Sequence, residues 1–592
     1  MQNRVIGVRM LKRAVFTTAV AGLLAGQLLT AQTASSPQVV ARAEAPPETT
    51  TTGPSSPTTS AQQSELGVVD ELNAMKRRIE KLEEQLKAAR GETAAPSSLA
   101  PASPLPGTAG SVLPPGTTDP SRAVAAIAEP NPGAGLPSTA DQSSSQPEAP
   151  PANAAAPAEP QVDLQTPFAF ADFTWMLSNS RNHDEVLDGK YFSGEFRVDT
   201  NYMYDYNHPI DHTLDGTTEG ERTGEFNIQA LNVGGDFHAG NMQGRILTQF
   251  GSVSTAVPRN DASYSQGQWD LADAYRYLSE MYAGYHINVN HGLNLQVGDF
   301  LSFIGLFSYY SFDNWMYQPS YVSSNTPWFF TGFRAQWFVT NKLKIEPWFI
   351  NGWQTYAKYN GRHGLGGQIL WRPTGNLDFV FNTYALGRDT LGNPYRSRYH
   401  VDDSQEYKYY ENPNKFMHRA AFTLTEDIGC ESGGGVVCKS GNSQTPAQNF
   451  MGIMGYNRWW FDKDHFAFEV GGGVMNNPGR YLVLLPPING ASATSGTPYF
   501  TENPGNPFKA YDFQIGADFF PSQWVTWHVE FTQRGSNVPY FVGPGGITPN
   551  QNPPGGPGLY VNEGPPGSFV PGFAPDLVKQ ERRWILSLMV KL

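Results

Sequence analysis

Long apolar segments and basic residues are scarce in this sequence, and each scarcity excludes a class of protein. Beyond the N-terminus, no apolar run of the 592 residues approaches the ~20 that a membrane-spanning helix needs. Lys and Arg number 41 against 54 Asp and Glu, a net charge of -13, so nucleic acid is not an expected partner. A negative mean hydropathy of -0.41 still permits a membrane barrel, in which only alternate residues face lipid.

Cysteine occurs only twice, as Cys430 and Cys438. The glycine-rich residues 431–437 between them can close a small ring, and in an exported protein such a pair is expected to form a disulfide. The alternative is a metal site, but no His or further Cys lies nearby to complete a ligand set. No cysteine lies near the N-terminus either, which excludes a lipid-anchored lipoprotein.

The first 163 residues divide into three segments. Residues 1–31, basic and then apolar, are typical of a signal peptide cleaved between residues 31 and 45; a membrane anchor is the alternative. Residues 64–90 carry an a/d apolar seam that predicts a short parallel coiled coil, the alternative being one amphipathic surface helix. Residues 91–163, rich in Pro, Ala, Ser and Thr, predict a disordered linker.

The rest of the chain, residues 164–592, is built from short runs of alternating apolar and polar residues. In the last run Trp584, Leu586, Leu588 and Val590 share one side, the pattern of a strand with one apolar face. About sixteen such runs are present, and short turns alternate with long loops between them. The predicted strands are 190–205, 224–237, 242–251, 279–290, 292–299, 328–339, 342–352, 363–372, 376–386, 395–402, 415–425, 448–460, 464–474, 510–519, 523–533 and 582–592.

An all-β fold with these features is either a secreted sandwich or a transmembrane barrel. Aromatic residues flank the strands, and no domain linker interrupts the chain after residue 190, which favours one antiparallel up-and-down barrel. Strand pairing is hardest to follow around 387–414, so the count carries an error of two. An aromatic segment, residues 167–175, precedes the first strand and is a candidate for packing in the barrel mouth.

Several segments resemble the OmpL-like family of outer-membrane β-barrel porins. They are residues 297–300, 313–315, 331–335 and 351–353, together with the aromatic stretch 168–175. The resemblance spans roughly residues 167–592 and implies an outer-membrane porin of unsettled substrate. The chain ends in Leu592, whereas many such barrels end in an aromatic residue.

Strand parity predicts which side chains face the lumen, because a charge on the lipid face costs roughly 2–4 kcal/mol for Arg or Lys at mid-membrane. The predicted wall residues are Arg334, Gln336, Lys344, Glu346, Arg372, Arg396, Arg398, His400, His528 and Glu530.

The third long loop, residues 300–327, is expected either to narrow the lumen or to pack on the rim. Its candidate constriction residues, counted with the strand-end Asp299, are Asp299, Tyr309, Tyr310, Asp313, Asn314 and Trp315. Asp299 and Asp313 are predicted to face Arg334, Lys344, Arg372, Arg396 or Arg398 across the lumen.

The leading functional prediction is passive diffusion of small hydrophilic solutes through a water-filled barrel, without a cofactor. The tyrosines of the third loop also permit a sugar-selective aromatic track, and the coiled coil permits a tether to the cell wall. An enzyme is not expected, because His528 and Glu530 lack a serine elbow. The expected partners are outer-membrane lipid, small solutes and further copies of the chain, with a trimer among the options and the N-terminal region in the periplasm.

Overall fold

The structure is a computed structural model that describes Lys76 and residues 165–592, except 264–265, 391–392, 479–480, 482–484, 493–494, 501–502 and 550–566. The predicted signal peptide and linker lie outside the described residues. So does the predicted coiled coil, apart from Lys76, which is helical.

Sixteen antiparallel strands form a closed barrel within the described residues, which confirms the predicted architecture and strand number. Each strand pairs with its neighbours in the chain, and the last strand closes the barrel on the first, with Leu586 opposite Tyr202. The strands are β1 (Phe192–Asp205), β2 (Phe226–Ala239), β3 (Met242–Thr248), β4 (Leu278–Ile287), β5 (Leu293–Leu301), β6 (Phe329–Thr340), β7 (Leu343–Ile350), β8 (Gly364–Thr374), β9 (Leu377–Ala385), β10 (Ser397–Glu411), β11 (Met417–Ser432), β12 (Gln448–Phe461), β13 (Phe466–Asn476), β14 (Lys509–Ser522), β15 (Val525–Ser536) and β16 (Gln580–Lys591).

The connections alternate in length, so the barrel has a turn end and a loop end. The turns have two to five residues and hold residues that tolerate positive φ, such as Gly240 at 60° and Gly292 at 118°. The turns are 240–241, 288–292, 341–342, 375–376, 412–416, 462–465 and 523–524. The loops are 206–225, 249–277, 302–328, 351–363, 386–396, 433–447, 477–508 and 537–579.

Several short elements lie outside the sixteen barrel strands. The helices are α1 (Val253–Ala256), α2 (Leu271–Tyr275) and α3 (Tyr321–Ser324), with single 3-10 turns at Pro258–Asn260, Ser311–Asp313 and Ile488–Gly490. Two-residue strands at Phe541–Val542 and Leu577–Val578 pair with each other, and Leu187–Asp188 pairs with β1.

No helix in the described residues is long and apolar enough to span a membrane. The predicted disulfide between Cys430 and Cys438 is present and joins the end of β11 to the following loop.

The two faces of the wall differ as the alternation predicts. On β15, Trp527 and Val529 are exposed on the outer face, whereas His528 and Glu530 are buried inside. The other strands also place apolar side chains on the outer face and polar ones inside. Hydrocarbon accepts apolar side chains, whereas charged groups find hydrogen-bonding partners only in the interior. The outer face of β10 and β11 is an exception, since Asp403 and Glu426 lie opposite each other there.

Candidate functional site: the barrel lumen

The predicted wall residues lie inside the barrel. Nine of the ten are buried in the monomer, and Arg372 is half-buried. Arg396 lies in the loop just before β10, and the other nine lie on β6, β7, β8, β10 and β15, as parity predicts. The same parity, on these and on other strands, identifies further charged residues of the wall: Asp199, Asp402, Glu406, Asp427, Arg458, Glu469, Asp512, Asp518, Arg534, Arg583 and Lys591.

Acids and bases of the wall pair with each other along neighbouring strands. Glu346 accepts a hydrogen bond from Lys344 Nζ at 2.7 Å, and Arg334 Nη1 lies 3.8 Å from its other oxygen. Arg398 donates to Glu431 at 2.9 Å, and Arg372 donates to Asp378 at 3.0 Å. The remaining predicted wall residues join the same pattern: Gln336 with Glu346, Arg396 with Glu431, His400 with Asp427, and His528 with both Asp518 and Glu530. Neighbouring carboxylates of the wall therefore balance most of the positive charge of these basic side chains.

The third loop, residues 302–328, lies inside the lumen and not on the rim. It leaves from β5 and returns into β6, yet its side chains contact strands on other parts of the wall. Tyr317 donates its hydroxyl to Asp199 of β1 at 2.8 Å, and Ser320 donates to Asp512 of β14 at 2.8 Å. Trp315 packs edge-on against Trp460 of β12, with ring centroids 5.6 Å apart. These contacts extend across the interior of the barrel.

Glu530 is a wall carboxylate that holds the backbone of this loop at two consecutive residues. Its Oε2 accepts the Tyr317 amide at 2.7 Å and the Gln318 amide at 3.3 Å. Its Oε1 accepts a hydrogen bond from Gln514 Nε2 at 3.0 Å, and Gln514 Nε2 also donates to Gln318 O at 2.7 Å. One carboxylate thus fixes two consecutive amides of the loop to β15.

The partners predicted for Asp313 are wrong. Asp313 accepts a hydrogen bond from Arg197 of β1 at 2.7 Å and lies 3.5 Å from Lys591 of β16, and neither base was among the five predicted. Burial alone raises the pKa of Asp313, but Arg197 and then Lys591 outweigh it, so the pKa is lowered and the carboxylate stays ionised. The loop lies across β1 and β16 at this point because sheet closure places Arg197 beside Lys591.

The other candidate constriction residues hold the loop in shape. Asn314 accepts from the Ser308 amide and donates back to the Ser308 carbonyl, at 2.8 and 2.9 Å. The Tyr310 hydroxyl donates to Glu280 at 3.0 Å, and Tyr309 donates to Gln249. Asp299 is buried and accepts a hydrogen bond from Thr331 at 3.3 Å, across the β5–β6 ladder. Tyr309 and Tyr310 thus fix the loop to other parts of the barrel, Asn314 stabilises the fold of the loop itself, and the Asp299 bond lies within the wall.

The aromatic segment before the first strand packs in the barrel mouth, at the turn end. Phe173, Trp175, Met176 and Leu177 are buried in one cluster with side chains of the third loop. With both segments in place, wall side chains such as Glu346 and Glu530 are wholly inaccessible to water. Side chains of the third loop and of this segment therefore occupy part of the lumen in this conformation.

One group of wall residues has the chemistry of metal ligands. Ligand atoms of Glu469, Asp518 and His528 lie within 4.8 Å of one another. Arg458 occupies this group, however: its Nη2 hydrogen-bonds Asp518, and its Nε lies 3.5 Å from Glu469. The guanidinium therefore supplies the positive charge that these carboxylates need.

A family comparison agrees with this geometry. The model of the family described as "Putative beta-barrel porin-2, OmpL-like" matches residues 192–553, more than half of the chain. The chain belongs to this porin family. The match begins at the first barrel strand and includes the third loop. The resemblance stated from the sequence segments is thereby confirmed.

Solved structures similar to this porin are distant in sequence. OmpT of Vibrio cholerae in its trimer form is 9% identical, with 68% of this chain and 100% of that chain covered and a TM-score of 0.38. DcaP of Acinetobacter baumannii is 9% identical, with coverages of 68% and 96% and a TM-score of 0.37. An anion-selective porin from Comamonas acidovorans is 7% identical, with coverages of 68% and 99% and a TM-score of 0.39. No curated protein was found to match the chain.

Proposed function

We propose that this protein lets small hydrophilic solutes diffuse passively across the bacterial outer membrane, without a cofactor or catalytic turnover. The observation that carries the proposal is the division of the wall into an apolar outer face and a charged inner face. Such a wall provides a surface for hydrocarbon and a polar path through it. The general porin role of the family supports the same conclusion.

The orientation and assembly belong to the same proposal. The turn end faces the periplasm, because short turns lie on that side in bacterial barrels. The N-terminal region then starts in the periplasm, where residues 64–90 associate as a coiled coil with those of further copies of the chain. The heptad pattern alone supports this homo-oligomer.

The solute path runs between the third loop and the wall. Asp313 with Arg197 and Lys591 supplies charge along one side of that path, and Tyr309, Tyr310, Asn314 and Trp315 fix the loop that narrows it. Passage requires movement of side chains that occupy the lumen in the described conformation.

The alternative functions gain less support from the geometry. The rings of Tyr309, Tyr310, Tyr317 and Tyr321 are buried in packing contacts, which does not favour an open track for sugar rings. His528 is bound between Asp518 and Glu530, so its contacts are those of a wall residue and not of a catalytic base. A tether to the cell wall depends on residues 64–90 alone.

Solute uptake by liposomes tests the proposed function. Liposomes that contain the purified full-length protein should swell in amino acids and monosaccharides, and the rate should fall as solute size rises. Amino acids and sugars of equal mass should enter at similar rates, whereas faster sugar entry supports the aromatic track. Swelling no faster than that of protein-free liposomes, both for the full-length protein and for a variant that lacks residues 165–183, overturns the proposed function.

Replacing Asp313 by Asn should shift ion selectivity toward anions. The substitution removes an ionised carboxylate and leaves Arg197 and Lys591 with less compensation. The reversal potential in a potassium chloride gradient measures the shift. Asp273→Asn is the matched control, because Asp273 is exposed on α2 and pairs only weakly with Arg276. Equal reversal potentials for Asp313→Asn and the unsubstituted protein contradict the placement of Asp313 beside the solute path.

A further inference from the structure

Residues 165–183, named the strap here, cross the whole turn end of the lumen. Near its start the Phe168 amide donates to the Asn341 carbonyl at 2.9 Å, in the turn between β6 and β7. Near its end Arg181 donates to the Ser522 and Val525 carbonyls at 3.0 and 2.8 Å, beside the turn between β14 and β15. These two turns are separated by eight of the sixteen strands, so they lie on opposite sides of the mouth.

The middle of the strap enters the lumen. The Trp175 indole donates to the Gly375 carbonyl at 3.1 Å, and the Leu177 amide donates to the wall carboxylate of Glu406 at 2.8 Å. Trp175 and Leu177 are completely buried. A solute that leaves the lumen at this end therefore meets the buried side chains of the strap.

Aromatic rings of the strap cover basic side chains of the wall. The Arg372 guanidinium lies 4.8 and 4.6 Å from the ring centroids of Phe168 and Phe173. Lys408 Nζ lies 5.7 Å from the Trp175 ring. Cation–π contacts of this kind hold the strap without a covalent bond or a strand ladder.

The strap lies outside the strand pairing of the barrel. It contributes no strand to the described sheet, and hydrogen bonds, ring contacts and apolar packing to turns, wall side chains and the third loop hold it in place. The sixteen strands close on themselves without it. The strand pairing of the wall therefore does not depend on the strap.

We propose that the strap is a plug that closes the channel at the turn end and that its release opens the channel. The proposal rests on the proposed function, since a plug needs a channel to close. It assigns to residues 165–183 the control of passage, and to the mouth the role of a binding site for this segment.

Single-channel recording of a strap deletion tests the proposal. The variant joins residue 164 to Asp184 and leaves every barrel strand in place. We expect the open probability to rise several-fold over that of the full-length protein. If both proteins conduct with equal open probability, the plug proposal is overturned and the proposed function stands. If neither protein conducts, both are overturned.

A disulfide lock tests the plug in a protein that keeps the strap. A Cβ built on Gly375 lies 2.7 Å from Ala171 Cβ, so Ala171→Cys with Gly375→Cys brings two thiols within reach after a small shift. The oxidised variant should stay closed, and a reductant should restore openings. The unsubstituted protein treated with the same reductant controls for loss of the Cys430–Cys438 bond. Openings of the oxidised, cross-linked variant at the unsubstituted frequency overturn the plug.

A synthetic peptide of residues 165–183 tests the mouth as a binding site. Added to the strap-deleted channel, it should block current from one side of the bilayer only. A peptide with Trp175→Ala should block less, because it lacks the indole that donates to Gly375. Absence of block, or equal block from both sides, overturns the assignment of this site.

Discussion

A barrel that carries Glu530→Ala is expected to pass more current per open channel than the unsubstituted protein. Glu530 accepts the Tyr317 and Gln318 amides, and no other acceptor holds these amides in the described contacts. An unpaired buried amide costs about 1–3 kcal/mol, so the third loop should move away from β15 at Tyr317 and Gln318 and widen the path. Unitary conductance in planar bilayers measures the change.

Two further variants separate loop release from general damage. Glu530→Gln should have a smaller effect, because an amide oxygen can still accept one hydrogen bond. Glu581→Ala removes a buried carboxylate from the adjacent strand β16, where Glu581 pairs with Arg583 at 2.7 Å, and should leave conductance near that of the unsubstituted protein. Equal conductance of Glu530→Ala and the unsubstituted protein contradicts a path bounded by this loop.

Replacing Val529 by Arg should strongly destabilise the barrel in a bilayer. Val529 is 44% exposed on the outer face near the middle of β15. Arginine at the bilayer midplane lowers the free energy of unfolding by about 2–4 kcal/mol. Urea unfolding of the protein folded into vesicles measures the loss.

Val529→Ile is the matched control, because it keeps the position apolar and β-branched. It should change the unfolding free energy by far less than Val529→Arg does. The loss should also shrink when the same arginine replaces an outer residue at the end of a strand, such as Gln580. A bilayer stability of Val529→Arg equal to that of Val529→Ile means that this face does not meet hydrocarbon.

The strand pattern could be predicted because a membrane barrel imposes one rule at every position. Apolar side chains point outward to lipid and polar ones point inward, so a period of two appears wherever a strand crosses the membrane. The last strand shows it clearly, with Trp584 and Leu586 exposed and Arg583 and Ser587 buried. The same rule placed the wall residues of β6, β7, β8, β10 and β15.

Strand pairing was hardest to follow where the rule is broken. The predicted strands 395–402 and 415–425 are in fact Ser397–Glu411 and Met417–Ser432. The outward positions of these strands include Asp403 and Glu426, which face each other across the β10–β11 ladder. Polar residues on both faces remove the alternation, so the prediction ended both strands too early.

The contents of the lumen could not be predicted from periodicity. The ion pair of Asp313 with Arg197 joins residues 116 positions apart, and Lys591 reaches the same carboxylate from the last strand. These partners depend on how the third loop crosses the interior. The sequence of the loop contains no local pattern from which that course could be predicted. The aromatic composition of residues 167–175 was the one local signal that pointed to a segment in the mouth, and the buried Trp175 confirms it.

Thiol labelling during single-channel recording tests most directly whether solutes cross through the lumen. Ser587→Cys places a thiol on the inner face of β16, and Leu586→Cys places one on the outer face next to it. The two native cysteines are joined in a disulfide and do not compete. A water-soluble, charged thiol reagent should reduce the current of Ser587→Cys and leave that of Leu586→Cys unchanged. A current through Ser587→Cys that the reagent does not alter, or one reduced equally in both variants, contradicts conduction through this lumen.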